Sequence, residues 1–145
     1  MTITILLADD HPIVRRGLRA LFETERDFAV VGETGDGLEA VKIARELKPD
    51  VILLDIGLPS LNGMEASTRI LKTASGTKIL FLTGNHDTEV VRAALSNGAY
   101  GYVLKADAGI ELLPAIKALL RDEKFVSSGI KVDDFSTFEG THPRL

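Results

Sequence analysis

Asp9, Asp10 and Asp55 are the residues of this chain best placed by type and spacing to act together, because each follows directly on a short apolar run. The first pair stands after Ile3-Thr4-Ile5-Leu6-Leu7-Ala8, and Asp55 after Val51-Ile52-Leu53-Leu54. Thr83 follows Ile79-Leu80-Phe81-Leu82 in the same way, and Lys105 follows Tyr102-Val103-Leu104. Like charges about 4 Å apart repel by roughly 4 kcal/mol at an effective dielectric near 20. Three gathered carboxylates therefore call for a cation or for protonation. A set of oxygen ligands without Cys or His favours a hard ion such as Mg2+. Lys105 adds a fixed positive charge and Thr83 a hydroxyl. Around an ionised Asp55, that set is what phosphoryl transfer to a carboxylate requires.

Those residues can meet only if the runs before them are neighbouring strands. Apolar runs of this length read as strands buried on both faces, as in a parallel sheet, where ligands gather beyond the carboxyl ends. Helical spacing separates the runs. Val14, Leu18, Leu21 and Phe22 form one apolar stripe, with Pro12 in its first turn and Asp10 as a candidate cap. Leu38, Val41, Ala44 and Leu47 form a second, a third helix covers about 63–74, and a fourth runs from about Asp87 to the stop at Asn97-Gly98. A fifth carries Ile116, Leu119 and Leu120, and its Pro114 predicts a late start or a bend. Five strand–helix units in alternation predict an α/β fold, a flavodoxin-like doubly wound sheet of five parallel strands in the order 2-1-3-4-5. Strands one and three are then adjacent, and their terminal acids meet at the switch point.

Composition narrows the function classes. The 145 residues suit one domain, read as 1–122, with 123–145 as a linker or tail whose Phe125, Ile130, Phe135 and Phe138 could pack back. A net charge of −4, with basic residues spread along the helices, argues against direct nucleic-acid contact by this chain. The apolar runs are too short to span a bilayer, and the start lacks the pattern of a signal peptide. With no cysteine present, a cytoplasmic location fits.

In its motifs the chain resembles the receiver domain of bacterial two-component response regulators. The resemblance spans about 2–122 and rests on Asp9-Asp10, on Asp55 with Pro59 and Gly63, on Thr83-Gly84, and on Tyr102 with Lys105. The opening Leu7-Ala8-Asp9-Asp10-His11-Pro12-Ile13-Val14-Arg15-Arg16-Gly17-Leu18 is similar to the NarL/LuxR-type subclass. The resemblance implies that Asp55 accepts phosphate from a histidine kinase. It implies that Mg2+ is held by Asp10 directly, by Asp9 mainly through water, by Asp55, and by the Gly57 backbone carbonyl. Lys105 and Thr83 would contact the phosphoryl group, Tyr102 would change rotamer with Thr83, and Gly57 and Asn85 would influence phosphoryl lifetime. The switched face would be the fourth helix, fifth strand and fifth helix. Homodimerisation on phosphorylation would follow, with transcription regulated through a DNA-binding domain absent from this chain. The only chemistry would be self-directed: phosphotransfer to Asp55 and its later hydrolysis.

Plainer readings stand beside each assignment. Asp9-Asp10 could cap a helix, Asp55 open a turn, Thr83 merely fill a strand end, and Lys105 be a solvated charge. His11 and His86 read as solvent-facing residues without a partner at metal-ligand spacing. Two other functions share the fold class. An aspartate-nucleophile phosphatase of haloacid-dehalogenase type would want a second Asp where Gly57 stands. A flavodoxin-like FMN carrier would want Ser/Thr-rich phosphate loops and flanking aromatics.

Overall fold

The computed structural model describes residues 2–130; Phe135 and Phe138 of the expected tail lie outside them. The chain alternates β1 (Ile3–Ala8), α1 (Pro12–Glu23), β2 (Phe28–Thr34), α2 (Gly37–Leu47), β3 (Val51–Leu54), α3 (Gly63–Thr73), β4 (Lys78–Thr83), α4 (Thr88–Ser96), β5 (Gly101–Leu104), α5 (Ala108–Leu120) and β6 (Phe125–Val126). A single 3₁₀ turn, Lys105–Asp107, joins β5 to α5. All strands are parallel, in the order β2-β1-β3-β4-β5-β6. The first five take the flavodoxin-like order expected. The sixth is an addition, in which Phe125 and Val126 pair with Gly101 and Tyr102 of β5.

Period-two alternation sends successive strand residues to opposite faces of the sheet. Ile5, Leu7, Val51, Leu53, Leu80, Leu82 and Val103 face α1 and α5, where they meet Leu18, Phe22, Leu112, Ile116 and Leu119. Leu6, Ala8, Ile52, Leu54, Ile79, Phe81 and Tyr102 face the side built by α2, α3 and α4. Both faces are buried, which is why the strand sequences read as continuous apolar runs.

Three helices open on side-chain caps: Asp36 accepts from the Glu39 amide, Asn62 from that of Glu65 and Asp87 from that of Glu89. Helix α1 has no such cap. Its N-cap residue is His11 rather than Asp10, followed by Pro12 at the first helical position. In α2 the buried stripe is Ala40, Val41 and Ala44, and Leu38 and Leu47 are half exposed at its margins. Helix α4 ends as read, with Gly98 at φ +104°, in the left-handed region. Helix α5 starts at Ala108 and continues through Pro114, so it does not start late. Pro114 lies on the exposed side while Leu112, Ala115, Ile116 and Leu119 pack beneath. The carbonyl deprived of its partner is on the wet face, so the proline leaves no buried orphan.

Candidate functional site

The ends of β1, β3, β4 and β5 carry Asp9, Asp55, Thr83 and Lys105 to one edge of the sheet. Adjacent pairing of β1 with β3 aligns Ala8 with Leu54, so the acids that follow those residues start side by side. Pairing of β4 with β5 likewise aligns Thr83 with Leu104. Asp9, Asp55 and Thr83 are buried, Asp10 is exposed, and Lys105 is partly covered.

Lys105 ties the two strands together. Its Nζ lies 2.8 Å from Asp9 Oδ2 and 3.0 Å from Asp55 Oδ2. Burial works to lower the Lys105 pKa, but hydrogen bonds and charge from Asp9 and Asp55 outweigh it, so the ammonium holds its proton more tightly than usual. Asp9 Oδ2 is fully buried and has this ion pair without a well-directed hydrogen bond. The other Asp9 oxygen accepts the backbone N–H of His11 at 2.8 Å. Asp9 thus serves the loop before α1 rather than capping the helix itself.

The backbone around Asp55 is equally constrained. A Cβ on Gly63 would lie 2.2 Å from the Asp55 carbonyl oxygen, so α3 can start this close only at a glycine. The Gly63 amide donates to the Ile56 carbonyl at 2.7 Å, which holds the loop. The Gly57 N–H points to Asp55 Oδ1 at the long distance of 3.4 Å. A Cβ on Gly57 or Gly84 would meet open space, which leaves the approach to Asp55 unscreened there.

On the other side of the site, hydroxyls and backbone groups replace charge. The Asn85 amide donates to Thr83 Oγ1 at 3.3 Å, and the Tyr102 phenol donates to the Asn85 carbonyl at 2.5 Å. Tyr102 is wholly buried, with its ring 6.1 Å from that of Phe81. Burial first, then the negative charges of Asp55 and Asp87, push its phenol pKa well above the ordinary value. The Asn85 side chain is engaged locally, its Oδ1 accepting the Asp87 N–H at 2.9 Å.

Sequence reasoning missed three participants. His11 is exposed, as expected, but it does have partners: its Nδ1 lies 2.8 Å from Asp9 Oδ1 and 3.2 Å from Asp10 Oδ1. The reading that His11 lacks a partner at metal-ligand spacing is thereby corrected. Arg15 donates from Nη1 to the Asp9 carbonyl and from Nε to Glu33 Oε1, so it braces the same loop against β2. Ser127, fully buried, donates its N–H to the Tyr102 carbonyl and accepts the Leu104 N–H. The signal for His11 was its place two residues after Asp9; Arg15 and Ser127 depend on tertiary contacts that spacing does not reveal.

Asp9, Asp10, His11 and Asp55 each offer one ligand atom, and these atoms all lie within 4.8 Å of one another. Three carboxylates and a buried, poorly directed Asp9 oxygen fit a divalent cation, which would relieve their mutual repulsion.

Comparison with known proteins places the chain in a family. The model of the response regulator receiver domain matches residues 5–117. The transcriptional regulatory protein LiaR of Bacillus subtilis is 40% identical over 128 residues, covering 88% of this chain and 61% of the relative. The nitrate/nitrite response regulator protein NarL of Escherichia coli is 39% identical over 128 residues, covering 88% and 59%. The chain thus spans about six-tenths of these relatives. A crystal structure of a LuxR-family two-component response regulator from Aurantimonas superposes with a TM-score of 0.87 at 36% identity, covering 98% of this chain and all of that one.

Proposed function

This chain belongs to the response regulator receiver domain family, and from that premise we propose that Asp55 is its phosphoacceptor, loaded by a histidine kinase and read out through Thr83, Tyr102 and Lys105. One observation carries the reading: a buried carboxylate at a strand end, 3.0 Å from an ammonium and grouped with two further carboxylates. Asp55 Oδ attacks the phosphorus of the donor and the donor's bond to phosphorus breaks. With acetyl phosphate, acetate leaves and an acyl phosphate forms on Asp55. No base is needed, because the attacking carboxylate is ion-paired with the Lys105 ammonium.

Asp9, Asp10 and Asp55, with the Gly57 carbonyl, would hold Mg2+, which when bound offsets the charge on the phosphoryl oxygens. Lys105 then exchanges its contact with the Asp55 carboxylate for one with the phosphoryl group and releases Asp9. The Thr83 hydroxyl turns toward the same group, and Asn85 and Tyr102 follow because they are hydrogen-bonded to it in series. The open space at Gly57 and Gly84 supports access by small donors and by the water that later hydrolyses the acyl phosphate. Asn85 tunes that lifetime from its loop. The chain turns over no separate substrate.

The output reading is transcription control, with homodimerisation on phosphorylation. It is supported by the names of LiaR and NarL and by the chain's six-tenths share of their length, which leaves room for a DNA-binding unit outside this chain. A cytoplasmic setting suits a kinase-loaded relay, and among the described residues no helix is long and apolar enough to cross a membrane. The phosphatase alternative lacks its second acid, since Gly57 occupies that place.

Intact-mass analysis after incubation with acetyl phosphate and Mg2+ tests the proposal. One phosphoryl group is expected, lost on chelation and absent from Asp55→Ala. Labelling that persists in that variant overturns it.

A further inference from the structure

The three carboxylates account for an oxygen site, but His11 adds a donor of different character. Its Nδ1 lies 2.8 Å from Asp9 Oδ1, 3.2 Å from Asp10 Oδ1 and 3.3 Å from Lys105 Nζ. It is also one of the four ligand atoms that fall within 4.8 Å of one another. Resting on the receiver reading above, we propose that His11 is a specificity-determining metal ligand, whose Nδ1 joins the carboxylates and favours Mn2+ over Mg2+.

The argument is one of ligand type. Mg2+ keeps water and oxygen ligands and gains little from an imidazole. Mn2+ accepts the same carboxylates and an octahedral shell, and it stands at the start of the divalent series that imidazole nitrogen binds. Position supports the role. His11 is the residue that opens α1, so its backbone is fixed by Pro12 after it and by the Asp9 carboxylate that accepts its N–H. The ring is therefore held beside the acids and not left to sweep through solvent.

Coordination requires a free lone pair on Nδ1. Nδ1 faces Asp9 Oδ1 at 2.8 Å, so the same atom that would bind the ion already lies against the acids. The ion would take the Nε2–H tautomer of the ring, whose Nε2 side can face water because the side chain is 60% exposed. Asp9 Oδ1 is then available to the ion. The Lys105 ammonium, 3.3 Å away, remains paired with Asp55 and does not need the imidazole.

The test uses the whole chain with Mn2+ and Mg2+ as the probes. Electron spin-echo modulation of the Mn2+-loaded protein should show coupling to an imidazole nitrogen, and that coupling should vanish in His11→Gln. Calorimetric titration should show the ratio of Mn2+ to Mg2+ affinity falling on the order of tenfold in the variant, the scale on which groups around a metal act. A wild-type spectrum without nitrogen coupling overturns the proposal, and so does an unchanged affinity ratio. The spectrum needs no variant, so misfolding of His11→Gln cannot obscure the result. Phosphorylation of the wild-type chain with Mg2+ is scored in parallel. If it succeeds while nitrogen coupling is absent, only the role of His11 fails. If it fails altogether, the receiver reading fails with it.

Discussion

The β1–β3 half of the site and the β4–β5–β6 half are built by opposite means. In the first, Asp9, Asp10, Asp55 and His11 crowd together on loops, held by one ammonium and by the Arg15 brace. In the second, Tyr102 and Ser127 are buried outright, and hydrogen bonds run from Thr83 through Asn85 to the Tyr102 phenol. A further set runs from the Tyr102 carbonyl to the Ser127 amide, and from the Ser127 hydroxyl to Glu111 Oε1 at 2.7 Å. The first half is electrostatically loaded, with like charges whose repulsion an ion or a phosphoryl group can rearrange. The second is packed and satisfied, and suits transmission. Lys105 stands between them, at the end of β5 with its ammonium among the acids. Under the proposed function, input and output would be separated in the same way: charge would be received where the structure is repelled, and relayed where it is tight.

If that contrast is real, the two halves should fail differently. The largest effect on stability is expected in the packed half. Ile130 is 4% exposed and joins the Tyr102 side of the core, so Ile130→Ala should cost about 2–5 kcal/mol in urea unfolding while leaving divalent-ion affinity unchanged. A loss under about 0.5 kcal/mol would remove residues 125–130 from the core.

In the charged half the pattern should invert. Asp10→Asn relieves repulsion at an exposed position, so stability should stay within about 0.5 kcal/mol or rise slightly. Divalent-ion affinity should fall by about tenfold or more in the same calorimetric titration. Loss of stability without loss of affinity would erase the contrast.

The smallest effect sharpens the boundary. Tyr102 and Lys105 both have folded-state pKa values raised above their ordinary ones. The folded chain then keeps protons that the unfolded chain gives up, so stability is complete at neutral pH and declines as pH rises past about 10. Tyr102→Phe removes the phenol's share. Its melting temperature should fall less than that of the unaltered chain between about pH 8 and about pH 11. Equal declines would mean that the buried phenol contributes nothing to the alkaline limit.

The charged half was also the more legible in the sequence. Asp9, Asp55 and Lys105 end apolar runs, and strand adjacency alone brings such residues together. Thr83 follows the same logic. His11 was misread because Cys/His spacing rules look for ligands along one element, whereas its partners include the residue two before it on a tight loop. The packed half was hidden for other reasons. Two residues, Phe125 and Val126, are too few to show a period, so β6 read as tail although it pairs with β5. The late start that Pro114 suggested is absent, because the proline's penalty depends on which face of α5 is wet, and that follows from tertiary packing. In α2, Val41 and Ala44 of the helical stripe are buried as read, together with Ala40, whereas Leu38 and Leu47 of the same stripe lie half exposed at its margins.

The most direct test of the central claim is to locate the phosphoryl group chemically. After loading with acetyl phosphate and Mg2+, reduction of the acyl phosphate with borohydride and peptide mass analysis should find homoserine at position 55 and unmodified Asp9 and Asp10. Homoserine at position 9 or 10, or none anywhere, would contradict the assignment of Asp55 as the group that receives the signal.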